Sequence, residues 1–145
     1  MLDISCANLQ SRAVDEARLI AGVLAVLESA NVTGCEVSLT VVDNARMHEL
    51  NRRHLDHDFP TDVLSFLLGF DGQRLDGEII VSADYAADEA ARYGWPAGDE
   101  LLLYAVHGAL HLVGYDDTTS QAAAQMRQRE REILGTFGLT PPGRD

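Results

Sequence analysis

The sequence predicts a single domain spanning residues 1–145 that mixes strands with helices, and three observations carry that reading. The chain has 145 residues, 46% of them hydrophobic, which is enough for one real core. Short β-branched runs alternate along it with longer stretches of helical periodicity. Two of the short runs, Val63 to Phe66 and Glu78 to Ser82, are joined by turn-rich residues, as in a hairpin.

The elements follow in order. Ile4 to Leu9 reads as a first strand. Ser11 or Asp15 can cap a helix to about Ala30, with Val14, Leu19, Ile20, Val23, Leu24 and Leu27 on its apolar side. Gly34 breaks that pattern, and Glu36 to Val42 is a β-branched strand. Asp43 or Asn44 caps a helix to about His54, with Met47, Leu50 and Leu55 inward. Asp56 to Asp62, containing Pro60, is a loop. Gly69 to Gly77 is the turn-rich connection between the hairpin strands. Ser82 or Asp84 starts a helix that ends near Gly94. Pro96 and Gly98 separate it from a helix of about Asp99 to Val113. Residues 117–120 offer caps for a last helix to about Phe137, with Met126, Ile133 and Leu134 packed. The tail from Pro141 to Asp145 is expected to fray.

Composition narrows the partners. The net charge is −12, and all eleven basic residues are arginine. Such acidity argues against wholesale polyanion binding but leaves room for a local basic patch. Arg52 and Arg53, with His54 and His57 nearby, form the cationic cluster of the mid-chain. Arg127, Arg129 and Arg131 interleave with Glu130 and Glu132 and read as a solvated helix face. Cys6 and Cys35 lack CxxC spacing and are expected to be free thiols. No apolar run is long enough to cross a bilayer, and the N-terminus has no signal-peptide pattern. No membrane association is expected, and the default location is cytoplasmic.

The chemistry concentrates between His107 and Asp117. Two histidines four apart on a helix share a face, so both imidazoles can point at one ion. Gly114 is suited to end that helix in a left-handed turn and swing the chain back. Asp117 is then placed as a third ligand, in the H-x3-H-x2-G-x2-(H/D) spacing of metzincin-like sites. Leu101 to Leu103, Leu110, Leu112 and Val113 make the helix strongly apolar, and a buried histidine pair without a partner is costly. Zinc peptidases carry Glu directly after the first histidine as general base. Gly108 stands there instead, so this is a metal site without the usual peptidase machinery.

Two further segments join this one. Leu50 to Phe66 is a polar loop feeding a buried strand, and Gly77 to Ser82 is a strand with a turn before it. Together the three blocks resemble the YbeY family of rRNA maturation factors, small metal-dependent bacterial endoribonucleases. The family block L-N-x-x-Y-R-x-x-D-x-P-T-(D/N)-V-L-S-F corresponds to Leu50 to Phe66. G-(D/E)-I-x-(I/V)-S corresponds to Gly77 to Ser82. H-G-x-L-H-L-x-G-Y-D-H corresponds to His107 to Asp117, with every fixed position met but the last. Three departures stand out. Asp117 replaces a histidine ligand, Leu55 stands where the family has an arginine, and His54 stands where it has a tyrosine.

The resemblance implies a single α+β domain, a small mixed sheet packed with helices, the zincin-like metal helix lying in a cleft beside it. His107, His111 and Asp117 would hold one divalent ion, zinc first, and act catalytically through it. Arg52, Arg53 and His57 would contact RNA phosphates, and no residue is assigned as general base. The implied function is single-strand-specific endoribonuclease action in 16S rRNA 3′-end maturation and ribosome quality control. Its implied partners are single-stranded rRNA and the ribosome or small-subunit proteins. Two other readings compete. One is a metallohydrolase on another substrate, and the other a non-enzymatic ribosome-associated factor with a structural metal.

Overall fold

The computed structural model describes residues 1–55 and 62–143, with His54 and Leu55 described by backbone alone. Nine elements follow one another: β1 (Leu2–Asn8), α1 (Glu16–Ser29), β2 (Gly34–Val42), α2 (Asn44–Leu55), β3 (Val63–Phe70), β4 (Arg74–Ser82), α3 (Ala83–Tyr93), α4 (Ala97–Leu112) and α5 (Ser120–Gly135). The expected α+β class with a small mixed sheet is what the chain forms. The strand order is β1-β2-β4-β3. β1 and β4 both run parallel to β2, and β3 closes the edge as the antiparallel partner of β4.

Alternation along the strands makes two unlike faces. Val37, Leu39 and Val41 of β2 point with Leu75, Ile79 and Val81 of β4 into the main core. That core also takes Leu19, Val23, Val26 and Leu27 of α1 and nearly the whole surface of α4. The opposite face is covered at one end by α2. There Val42, Met47 and Leu64 form a second cluster with Leu50, Phe66 and Ile80 against it. The rest of that face carries Asp3, Glu36, Asp76 and Glu78.

α4 is the central helix. Leu101 to Val106, Ala109, Leu110 and Leu112 are all buried, so it is apolar on every side, as a core helix must be. Each fully buried leucine contributes about 2 kcal/mol of transfer free energy. Glu100 is also fully buried, in the first turn of α4. The indole Nε1–H of Trp95 donates to its Oε1 at 2.7 Å, and the N-terminal end of the helix dipole favours its charge.

The caps follow the sequence reading. Asp15 accepts from the Arg18 amide to start α1, Asp43 from the Arg46 amide for α2, and Ser82 from the Tyr85 amide for α3. Four expectations need correction. The hairpin strands are longer than expected, because the turn is confined to residues 71–73, where Asp71 accepts from the amides of Gln73 and Arg74. The buried face of α1 includes Val26, while Ile20 and Leu24 are only half-buried. The tail is not wholly frayed, since Pro141 and Pro142 are half-buried and line a cavity. Lastly, Glu130 is not on a solvated face, as described below. Cys6 and Cys35 are free.

Candidate metal centre

α4 and the turn after it build the site. His107 and His111 lie one turn apart with ring centroids 4.8 Å apart and planes at 76°. The helix ends at Leu112 with Val113 as its cap, and Gly114 takes φ +107°, a left-handed conformation that side-chain-bearing residues rarely adopt. The amides of Gly114 and Tyr115 donate to the carbonyls of His111 and Leu110 at 3.1 and 3.0 Å. This reversal brings Asp117 to the imidazoles, and the ligand atoms of His107, His111 and Asp117 lie within 4.8 Å of one another. Tetrahedral zinc with bonds of about 2.0–2.2 Å needs ligand atoms roughly 3.4 Å apart. Asp117 is exposed, so its carboxylate has room to rotate toward the imidazoles. The donor set, two imidazoles and one carboxylate, fits a divalent ion.

The neighbouring Asp116 does something else. Its Oδ1 accepts from the amide and hydroxyl of Thr118 at 3.2 and 2.9 Å, which holds the turn in shape. Thr119 then caps α5 by accepting from the Ala122 amide. One short connection therefore places the third ligand and launches the helix that returns beneath the site.

That helix supplies the residue that sequence reading assigned to solvent. Glu130 is only 9% exposed, and its Oε2 lies 2.6 Å from Nδ1 of His107. Nδ1–H donates to the carboxylate, which leaves the Nε2 lone pair for an ion, the usual outer support of a metal-binding histidine. The signal was present as spacing: Met126, Glu130, Ile133 and Leu134 share one buried face of α5. Alternating arginines and glutamates in the letters conceal it.

The two imidazoles differ electrostatically. Burial pulls His107 down, but the Glu130 hydrogen bond and charge, with Asp62 and Asp117 beyond, hold its pKa above the ordinary value. His111 is held below it, by burial first and by His107 second, against the pull of Asp117. A metal takes neutral imidazole. The shift at His111 favours the neutral form an ion takes, whereas at His107 an ion competes with a proton that Glu130 helps to hold.

Gly108 explains the missing peptidase glutamate. A Cβ at this position would come within 2.7 Å of Ile79 Cγ2, and within 3.1 Å of both Val63 Cγ2 and Ser65 Oγ. The position faces β3 and β4, not the imidazoles. Ser65 Oγ also donates to the Gly108 carbonyl at 3.1 Å, fixing the helix to the edge strand. Gly108→Ala is expected to destabilise the fold by about 1–3 kcal/mol through overpacking, despite the better helix propensity of alanine. Denaturant midpoints would check it, and an unchanged midpoint would mean that the strands yield to a methyl group.

A groove of about 460 Å³ runs from the cluster along β3, lined by residues 62–67, His107, His111, Leu112 and Asp117. Arg52 and Arg53 lie elsewhere, exposed on α2, and Arg53 sits 3.6 Å from Glu49. His57 and the side chains of His54 and Leu55 lie outside the described residues. No helix among the described residues is long and apolar enough to cross a membrane.

Comparison with known proteins agrees with this geometry. A family model described as Endoribonuclease YbeY matches residues 5–138. A protein of that name from Sulfurovum sp. is 45% identical over 115 residues, covering 75% of this chain and 77% of its own. One from Bacillus cereus (strain G9842) is 42% identical over 117 residues, covering 73% of this chain and 75% of its own. One from Rhodopirellula baltica is 37% identical over 123 residues, covering 81% of this chain and 63% of its own. The solution structure of a Thermotoga maritima protein aligns over 100% of both chains with a TM-score of 0.59. At 23% identity, that match speaks to fold alone.

Proposed function

The chain belongs to the endoribonuclease YbeY family, and from that footing we propose that it is a metal-dependent endoribonuclease cutting single-stranded rRNA. The finer reading is 16S rRNA 3′-end maturation and ribosome quality control, carried out in the cytoplasm on the ribosome or with small-subunit proteins. The observation that carries the reading is the convergence of His107, His111 and Asp117 at the head of an open groove. Structural zinc sites are closed by four protein ligands, whereas catalytic ones use three and keep a position open.

In this reading those three residues hold zinc. A divalent ion bound there supplies Lewis acidity toward a phosphodiester oxygen and makes water more acidic. The protein's own part is placement. Glu130 fixes the tautomer and ring orientation of His107. Gly114 sets the approach of Asp117, and Ser65 ties α4 to the groove wall. A flexible single strand can follow a groove of this size along β3, whereas a stiff duplex presents its bases stacked and inaccessible. Arg52 and Arg53 meet the RNA outside the groove, and His57 joins them as an RNA contact on sequence grounds alone. The environment of Gly108 weighs against a peptidase, because no carboxylate can stand at that position facing the ion.

Cleavage of matched single- and double-stranded RNAs tests this. Cutting of the single strand alone, stopped by a chelator, is expected. Equal cutting of both would reject single-strand selectivity, and no cutting of either would reject the nuclease.

A further inference from the structure

Behind His107 lies a second cavity that the metal centre does not use. It holds about 190 Å³ and adjoins the groove, since Asp62 and His107 line both. Arg127 and Arg131 stand in its wall, one turn apart on the same face of α5. Leu103, Tyr104, Pro141 and Pro142 make much of the remainder apolar.

These two arginines differ from most others in the chain. Arg12, Arg18, Arg53, Arg74, Arg92 and Arg129 each lie against a carboxylate. Arg127 and Arg131 lie against none among the described residues. Glu130 and Asp62 also line the cavity, but Glu130 is engaged by His107 at 2.6 Å. In a chain of net charge −12, a polyanion is repelled except where cations stand together and unneutralised. Two guanidinium groups beside an apolar wall match one nucleotide: the phosphate on the forks, the base on the proline and leucine surface.

We propose that Arg127 and Arg131 bind the phosphate that flanks the one at the His107–His111–Asp117 cluster, making this cavity a neighbouring-nucleotide subsite. The proposal rests on the endoribonuclease reading and names where the strand continues beyond the groove. It adds a cationic contact on α5, the helix that supports His107, to those of Arg52 and Arg53 on α2.

The test uses the metal-loaded chain and a short 2′-O-methyl RNA, checked intact on a gel, with binding read by fluorescence anisotropy against salt. Arg127→Gln/Arg131→Gln is compared with Arg74→Gln/Arg129→Gln, which removes the same charge elsewhere. Each single variant is measured too, and metal content and melting are read on every sample. Losing the contact to that one phosphate should lower the log–log salt slope by about 0.7 and weaken binding about 10-fold at low salt. The matched control should keep its slope, and all variants should keep their metal. An unchanged slope in the Arg127/Arg131 variants, with unmodified protein still cutting unmodified RNA, overturns the subsite and leaves the nuclease reading standing. Unmodified protein that neither binds nor cuts RNA overturns both.

Discussion

His111→Ala is expected to abolish metal retention and to reduce RNA cleavage by about a thousandfold or more, the largest effect of any single change. His111 is half-buried beside His107, and its imidazole is held neutral, which is the form an ion takes. Alanine leaves one imidazole and one exposed carboxylate, too few to hold zinc against water and chelators. The fold should survive, since His111 faces the groove rather than the main core. Elemental analysis and circular dichroism on the same sample would check this. Full metal content in His111→Ala would remove the residue from the ligand set. Asp117→His, which restores the ligand common in the family, should keep its metal and serves as the counterpart.

Glu130→Gln and Glu130→Ala should follow as a graded pair. The carboxylate supports His107 through one short hydrogen bond. Glutamine can still accept from Nδ1–H but brings no charge, so metal affinity should fall about 10-fold. Alanine loses acceptor and charge together, and a fall of about 100-fold is expected. Chelator competition would measure both. The pH dependence of stability separates this effect from plain packing. Folded His107 has its pKa above the ordinary 6.5, so in the metal-free chain its contribution is complete below that value and is lost as pH rises through the folded pKa. Both variants should remove this acid-side stabilisation. Equal metal affinity in the unmodified chain and Glu130→Ala would reduce Glu130 to a packing residue.

Much of the centre is legible in the letters because its spacing is local. His107, His111, Gly114 and Asp117 lie within one helical turn and its reversal, so helix geometry pairs the two imidazoles and the glycine turn adds the carboxylate. Glu130 is different. It reaches His107 across 23 positions of chain, and its burial is visible only once α5 is docked on α4. The hairpin shows a similar limit. Arg74, Asp76 and Gly77 look like turn residues, yet they pair with β2 on one side, and Asp76 and Gly77 pair with β3 on the other. Gly77 is needed there because a Cβ would meet Leu112 at 3.0 Å, a contact between elements distant in sequence. The inward face of α4 cannot be misjudged, because apolar residues surround that helix. α1 offers more than one apolar face, and docking decides that Val26 rather than Ile20 is fully buried.

The seating of α4 on the sheet also has a historical meaning. A single codon change to glutamate at Gly108 would set the new side chain against β3 and β4 rather than beside the imidazoles. Glutamate there would have to displace Ile79 and Val63 before it could serve as a base, and the protein would lose its footing first. Helix and sheet would need to part before new chemistry could be selected. The two kinds of hydrolase share a pair of histidines on a helix, yet here the position that follows the first of them is pressed against a sheet with no room for even a methyl group.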